Sequence, residues 1–163
     1  MKKIFLVSLI TILFLGCSKF KGNLDGFLDI SWGENIKNSA LILTEKGFSI
    51  EYITDDSITA KGKYLEEEAD VFLVFFENRF YGSNVTIWNK NIVNDFNKIK
   101  KSLEKKYGKT TRVLGDDEKR YIWDFDNNCH ISTSSDSIDS ICISIFYNNT
   151  TISNERKNKE NKN

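Results

Sequence analysis

Proline is absent from all 163 positions, and the chain has a single histidine, a single methionine and three cysteines. With Asn, Lys, Ile and Phe abundant, the missing proline reads as a coding bias of the genome and carries no functional message. One histidine excludes a His-rich zinc site. Cys129 and Cys142, with His130, fall short of the four ligands a structural zinc takes. An excess of one charge is also missing. The 23 basic and 23 acidic side chains are mixed along the sequence, so no clustered basic face is available for a nucleic acid. No long apolar run occurs. The stretch from Ile4 to Leu15 is too short to span a bilayer. Gly22-Asn23-Leu24-Asp25-Gly26 lacks the Lys-Ser/Thr of a phosphate-binding loop, the serines at Ser132, Ser134, Ser135, Ser137, Ser140 and Ser144 stand in no Gly-x-Ser-x-Gly elbow, and no ordered calcium loop is present.

The most informative segment is at the start. Met1-Lys2-Lys3, the largely apolar Ile4–Leu15 and then Gly16-Cys17 have the layout of an export signal with a small residue at the cut. Leu13-Phe14-Leu15-Gly16-Cys17 resembles the lipobox of bacterial lipoproteins, although Phe14 and Leu15 depart from the commonest residues there. The resemblance implies cleavage after Gly16 and acylation of the Cys17 sulfur. Each buried methylene of an acyl chain contributes about 0.8 kcal/mol, so two or three chains hold a protein on a membrane. Cys17 is then an anchor, and the membrane is reached through its acyl chains. Loss of residues 1–16 removes Lys2 and Lys3 and no acid, leaving a formal balance of −2.

Residues 17–26 are expected to be a tether, 27–150 a single domain, and 151–163, which are poor in apolar residues, a disordered tail. Phe27–Trp32 reads as a strand. Ile36, Ala40 and Leu43 mark a helix over 34–46 that Gly47 closes. Phe48–Thr54, Ser57–Leu65, Val71–Glu77 and Phe80–Trp88 read as strands, with Glu66-Glu67-Glu68 as a separator. The order then repeats. Ile92, Phe96, Ile99 and Leu103 give a helix over 91–107 closed by Gly108, followed by strands at 110–114, 119–125, 128–133 and 138–147. The expected fold class is α+β, two helices packed on an antiparallel sheet, as two successive helix-plus-meander units of about 27–88 and 89–150. Phe-x-x-Ile-x-Trp-Gly at 27–33 and Leu103-x-x-Lys106-Tyr107-Gly108-Lys109 before the strand with Trp123 resemble small exported bacterial proteins. The layout of that group is similar to the β-lactamase inhibitory protein and to BamE-type lipoproteins; it implies an arrangement and no activity.

Within the domain, the aromatics between Val71 and Trp88 carry the functional hint. Phe75 and Phe76 cannot both face one side of a strand. Most rings there belong in the core, and Phe72, Phe76, Tyr81 and Trp88 are the candidates for an exposed partner surface. Trp32 and Trp123 read as core anchors. The carboxylates Glu66, Glu67, Glu68 and Asp70, and separately Asp116, Asp117, Glu118, Asp124 and Asp126, read as solvated turns, with carboxylate hydrolysis as the enzyme alternative. If Cys129 and Ile131 share a face with Ile141, Ile143 and Ile145, an even register puts Cys142 on the other face and forbids a disulfide; a shift by one residue would permit Cys129–Cys142. The expectation is a lipid-anchored envelope protein that is not an enzyme, needs no metal or cofactor, has no catalytic residue, and binds an envelope or host protein. An assembly lipoprotein is the structural alternative.

Overall fold

A computed structural model describes residues 22–88, 92–116, 119–135 and 142–162. Cys17 and its leader, Asp117, Glu118, Ser137 and Ser140 lie outside the described residues.

The first elements of the described residues are β1 (Gly26–Phe27) and β2 (Ile30–Ser31), a short antiparallel ribbon. The run expected as one strand is thus a tight hairpin. Leu28 and Asp29 both have positive φ, 50° and 66°, the mark of a two-residue turn whose twist matches paired strands. Next comes α1 (Ile36–Glu45), whose N-cap Asn35 accepts the Asn38 amide at 2.9 Å. Gly47, at φ +84°, ends it, and the Phe48 amide turns back to the Leu43 carbonyl. Four strands follow: β3 (Ser49–Ile53), β4 (Ser57–Tyr64), β5 (Glu67–Phe76) and β6 (Arg79–Trp88). The acidic separator is therefore mostly strand. The turn is only Leu65-Glu66, again with both φ positive. Then α2 (Ile92–Tyr107) leads to β7 (Arg112–Leu114), β8 (Arg120–Asp124), β9 (Cys129–Ser135) and β10 (Cys142–Asn149), and α3 (Thr150–Glu160) ends the chain.

Among the described residues the sheet has eight strands, all antiparallel, in the order β3-β4-β5-β6-β10-β9-β8-β7. The last strands of the two runs, β6 and β10, pair at the centre, and β3 and β7 are the edges. The fold is mixed and dominated by this sheet. It differs from the expectation of two helices on a sheet in having a third helix and a separate ribbon. The tail expected to be disordered is the third helix. Its apolar anchorage is slight, with Ile152 buried, but Asn149 caps it through the Ile152 amide, and polar contacts hold it to the β5–β6 turn: Arg79–Glu155 at 2.7 Å, Glu77–Lys159 and Arg156–Tyr81. Compositional bias hid a helix that depends on caps and charge pairs more than on an apolar stripe.

One face of the sheet is the core. Ile58, Ala60, Val71, Leu73, Val85, Ile87, Ile131, Ile143 and Ile145 are fully buried there, met by Leu43 of α1 and by Ile99 and Leu103 of α2. Burying each such side chain contributes about 1.5–3 kcal/mol. Trp123 is buried as expected and donates Nε1–H to the Gly108 carbonyl at 2.8 Å, tying β8 to the end of α2. Trp32 is only half-buried and stacks on Phe80 with centroids 5.0 Å apart. Tyr64 and Tyr147 share a hydrogen bond inside the core, and burial pushes both phenols well above their ordinary range.

Candidate functional site

The candidate site is the other face of the sheet. Strand parity sets which side chains reach it. Phe72 on β5 is in register with Asn84 on β6, Asn84 with Phe146 on β10, and Phe146 with Ser132 on β9. Towards the β3 edge the same row continues through Thr59 to Tyr52. Phe72 and Phe146 are 42% and 41% exposed, unusually open for rings in the middle of a sheet. The neighbouring row runs Val74, Gly82, Asn148, His130, Asp124.

Between these rows lies a recess of about 540 Å³ walled by Phe72, Val74, Phe146, Asn148 and His130. Gly82 is part of its floor. A Cβ there would come within 3.1 Å of the Val74 side chain and 3.2 Å of the Tyr147 carbonyl, so any larger residue would fill the space. The Asn84 side-chain oxygen is buried at this place with no hydrogen-bond partner among the described residues, and so is Ser83 Oγ on the core side. An unmade hydrogen bond of this kind costs about 1–3 kcal/mol.

Next to His130 in register is Asp124, which Arg112 holds through two 2.7 Å bonds and Thr111 through a third at 2.8 Å. The Arg112 guanidinium thereby lowers the Asp124 pKa, against the opposing effect of partial burial. His130 Nδ1 lies 3.3 Å from Thr150 Oγ1 at the start of α3. Burial pushes the imidazole pKa down, opposed by the nearby Asp124 carboxylate.

Of the four rings expected to form a partner surface, the structure leaves two open. Phe72 and Trp88 are exposed on this face, and Trp88 donates Nε1–H to Asp70 at 2.6 Å. Phe76 and Tyr81 lie under α3. The Arg79 and Lys159 cations sit over the Phe76 ring, each 5.7 Å from its centroid, and Arg156 covers Tyr81. Tyr81 reaches that position because it is the extra residue of a bulge, since Val74 pairs with Gly82 and Phe75 with Phe80. Phe146 and Asn84 were missed. The alternation Ser144-x-Phe146-x-Asn148 opposite Ile143-x-Ile145-x-Tyr147 was the available signal.

The remaining sequence candidates do not assemble. Cys129 is buried on the core face opposite Asn149, while Cys142 pairs with Trp88 on the outer face, and both thiols are free. His130 faces away from Cys129. Among the described residues no group of three metal-ligating side chains comes together. Glu67 pairs with Lys98, Glu68 lies 3.9 Å from Lys63, and Asp70 accepts from Trp88. Among the described residues no helix is long and apolar enough to cross a membrane. Comparison with protein-family models, curated proteins and solved structures finds no match for this chain.

Proposed function

We propose that this chain is a lipid-anchored protein of a bacterial cell envelope that works by binding a protein partner on the outer face of its sheet. The observation that carries the binding reading is the row Phe72–Asn84–Phe146. Two partly exposed aromatic rings flank a polar side chain whose oxygen has no partner among the described residues, over a recess with a glycine floor. Aromatic anchors in a pocket are the residues from which protein interfaces draw most of their energy. The membrane reading rests on the sequence alone, on Gly16-Cys17 behind a basic and apolar leader. Four residues separate Cys17 from Gly22, so the anchor would lie at most five residue steps, roughly 17 Å, from the first described residue, which keeps the domain close to the bilayer.

Affinity purification from detergent-solubilised membranes tests both parts. The wild type should come from the membrane fraction and retain one stable protein partner. Phe146→Asp should lose the partner and stay on the membrane, whereas Cys17→Ala should leave it. Equal recovery of the partner with Phe146→Asp would defeat the binding reading, and a Cys17→Ala chain that stays membrane-bound would defeat the anchor.

A further inference from the structure

A second surface, at the β3 edge of the sheet, has a different character. β3 is paired to β4 on one side, and among the described residues no strand covers its other side. Every strand edge presents unpaired N–H and C=O groups. Here the edge is also apolar on both flanks. Tyr52 projects to the outer face and is 71% exposed, while Ile53 on the inner side and Leu41 of α1 are 54% and 55% exposed. Ile53 and one stripe of α1, namely Ile36, Ala40, Leu41 and Thr44, enclose an open groove of about 480 Å³.

The polar side chains in that groove are mostly occupied within the fold. Asn35 caps α1 and donates to Glu34, Asn78 Oδ1 accepts the Ile36 amide at 3.0 Å, and Thr44 Oγ1 donates to the Ala40 carbonyl at 2.9 Å. The wall thus offers aliphatic contact, and the hydrogen bonding on offer is that of the strand edge. The ligand that supplies alternating donors and acceptors together with apolar side chains at every second position is an extended polypeptide. We infer that the cleft between α1 and the β3 edge takes an extended segment of another protein as an added strand, with aliphatic side chains seated against Leu41 and Ile53 and an acidic residue near Lys37 at the rim.

Two features argue that the occupant is not a second copy. In a two-fold antiparallel pairing centred on β3, Glu51 would face Glu51, like charge against like charge. Glu51 is also the extra residue of a bulge, since Ile50 pairs with Ala60 and Tyr52 with Thr59, and it is bound to Lys61 at 2.7 Å. A bulge blunts indiscriminate strand addition and leaves selection to the groove.

The unacylated full mature chain, carrying Cys17→Ser, is immobilised and panned with displayed random peptides of roughly ten residues, long enough to form one added strand. Enriched peptides should carry aliphatic residues at alternate positions and slow amide exchange at Ile53, whose N–H faces the open edge because the next amide, Thr54, is bound to Ser57 of β4. Leu41→Lys and Ile53→Lys, both at exposed sites that tolerate a charge, should each weaken binding by about tenfold or more, as should N-methylation along one edge of the peptide. Phe146→Asp, on the separate outer-face site, should change nothing. The inference fails if no peptide is enriched, or if the enriched peptides bind Leu41→Lys as well as wild type. It fails equally if sedimentation shows a wild-type dimer that Leu41→Lys dissolves, which would make the occupant a second copy.

Discussion

Phe72 and Phe146 come from strands 74 residues apart in sequence and stand in one row, each directly in register with Asn84 between them. The central β6–β10 pairing creates this relationship, because it joins the last strands of two successive meanders. Both rings stand outside the core and are a little under half exposed, so replacing either should leave the fold intact. Phe72→Asp and Phe146→Asp are each expected to cost about 1–2 kcal/mol of stability while reducing partner capture at least tenfold. Urea titration and quantitative co-purification read the two effects separately.

The Leu65-Glu66 turn carries two non-glycine residues at positive φ, 51° and 69°. The left-handed region costs an L-residue about 1–2 kcal/mol, which glycine avoids. Glu66→Gly should therefore stabilise the chain by about 1 kcal/mol, seen as a higher denaturation midpoint at unchanged slope.

Close packing gives the opposite sign elsewhere. Leu103 on α2 is fully buried against the sheet, and Leu103→Ala should cost about 2–5 kcal/mol. Gly62 lies under the Phe48 ring, where a Cβ would meet Cδ1 at 2.6 Å, so Gly62→Ala should cost about 1–3 kcal/mol by displacing that ring. Thermal unfolding of the two variants checks both.

His130 makes stability depend on pH. Its folded pKa is pushed below the ordinary 6.5 by burial, opposed by Asp124 and aided by Arg112, with Thr150 of α3 as its hydrogen-bond partner. In the window below pH 6.5 the unfolded chain binds the proton more readily than the folded one. Stability is full above that value and falls as the pH drops towards the folded pKa. Asp29, Glu77 and Asp124, whose pKa values lie below the ordinary 3.8 to 4.5, lose their contributions only in more acid solution. Urea midpoints measured against pH should fall as the pH drops below 6.5 in the wild type and fall less there in His130→Gln.

The two domain thiols should differ in reactivity. Burial, with a lesser effect of Asp25, pushes the Cys129 thiol up to about 11, and the side chain is almost wholly covered, whereas Cys142 is half-exposed. A thiol reagent on the native chain should modify Cys142 first, and both should titrate after denaturation without reductant. Finding no free thiol in the domain would mean that they pair.

Periodicity carried the strand and helix positions well, because one face of each element is buried: Ile99 and Leu103 on α2, or Ile143 and Ile145 on β10, repeat at the spacing their element needs. It failed where shape comes from something other than burial. The β1–β2 ribbon turns at Leu28-Asp29, where Asp29 suits a positive φ but Leu28 gives no turn signal. The α3 helix rests on the Asn149 cap and cation contacts to Phe76 and Tyr81. The site was half legible for the same reason. Phe72 and Trp88 follow from alternation along one strand, but the bulge that sends Tyr81 under α3 and the register that brings Phe146 opposite Asn84 are properties of paired strands, which a single sequence does not display.

The outer-face account is tested most directly by placing a photo-crosslinking residue at Phe72, at Phe146 and, on the exposed surface of α2, at Lys101 in cells. Irradiation should give the same single envelope-protein adduct from positions 72 and 146 and none from 101. No adduct from 72 or 146, or one equally strong from 101, would contradict the claim that this face of the sheet is where the protein binds.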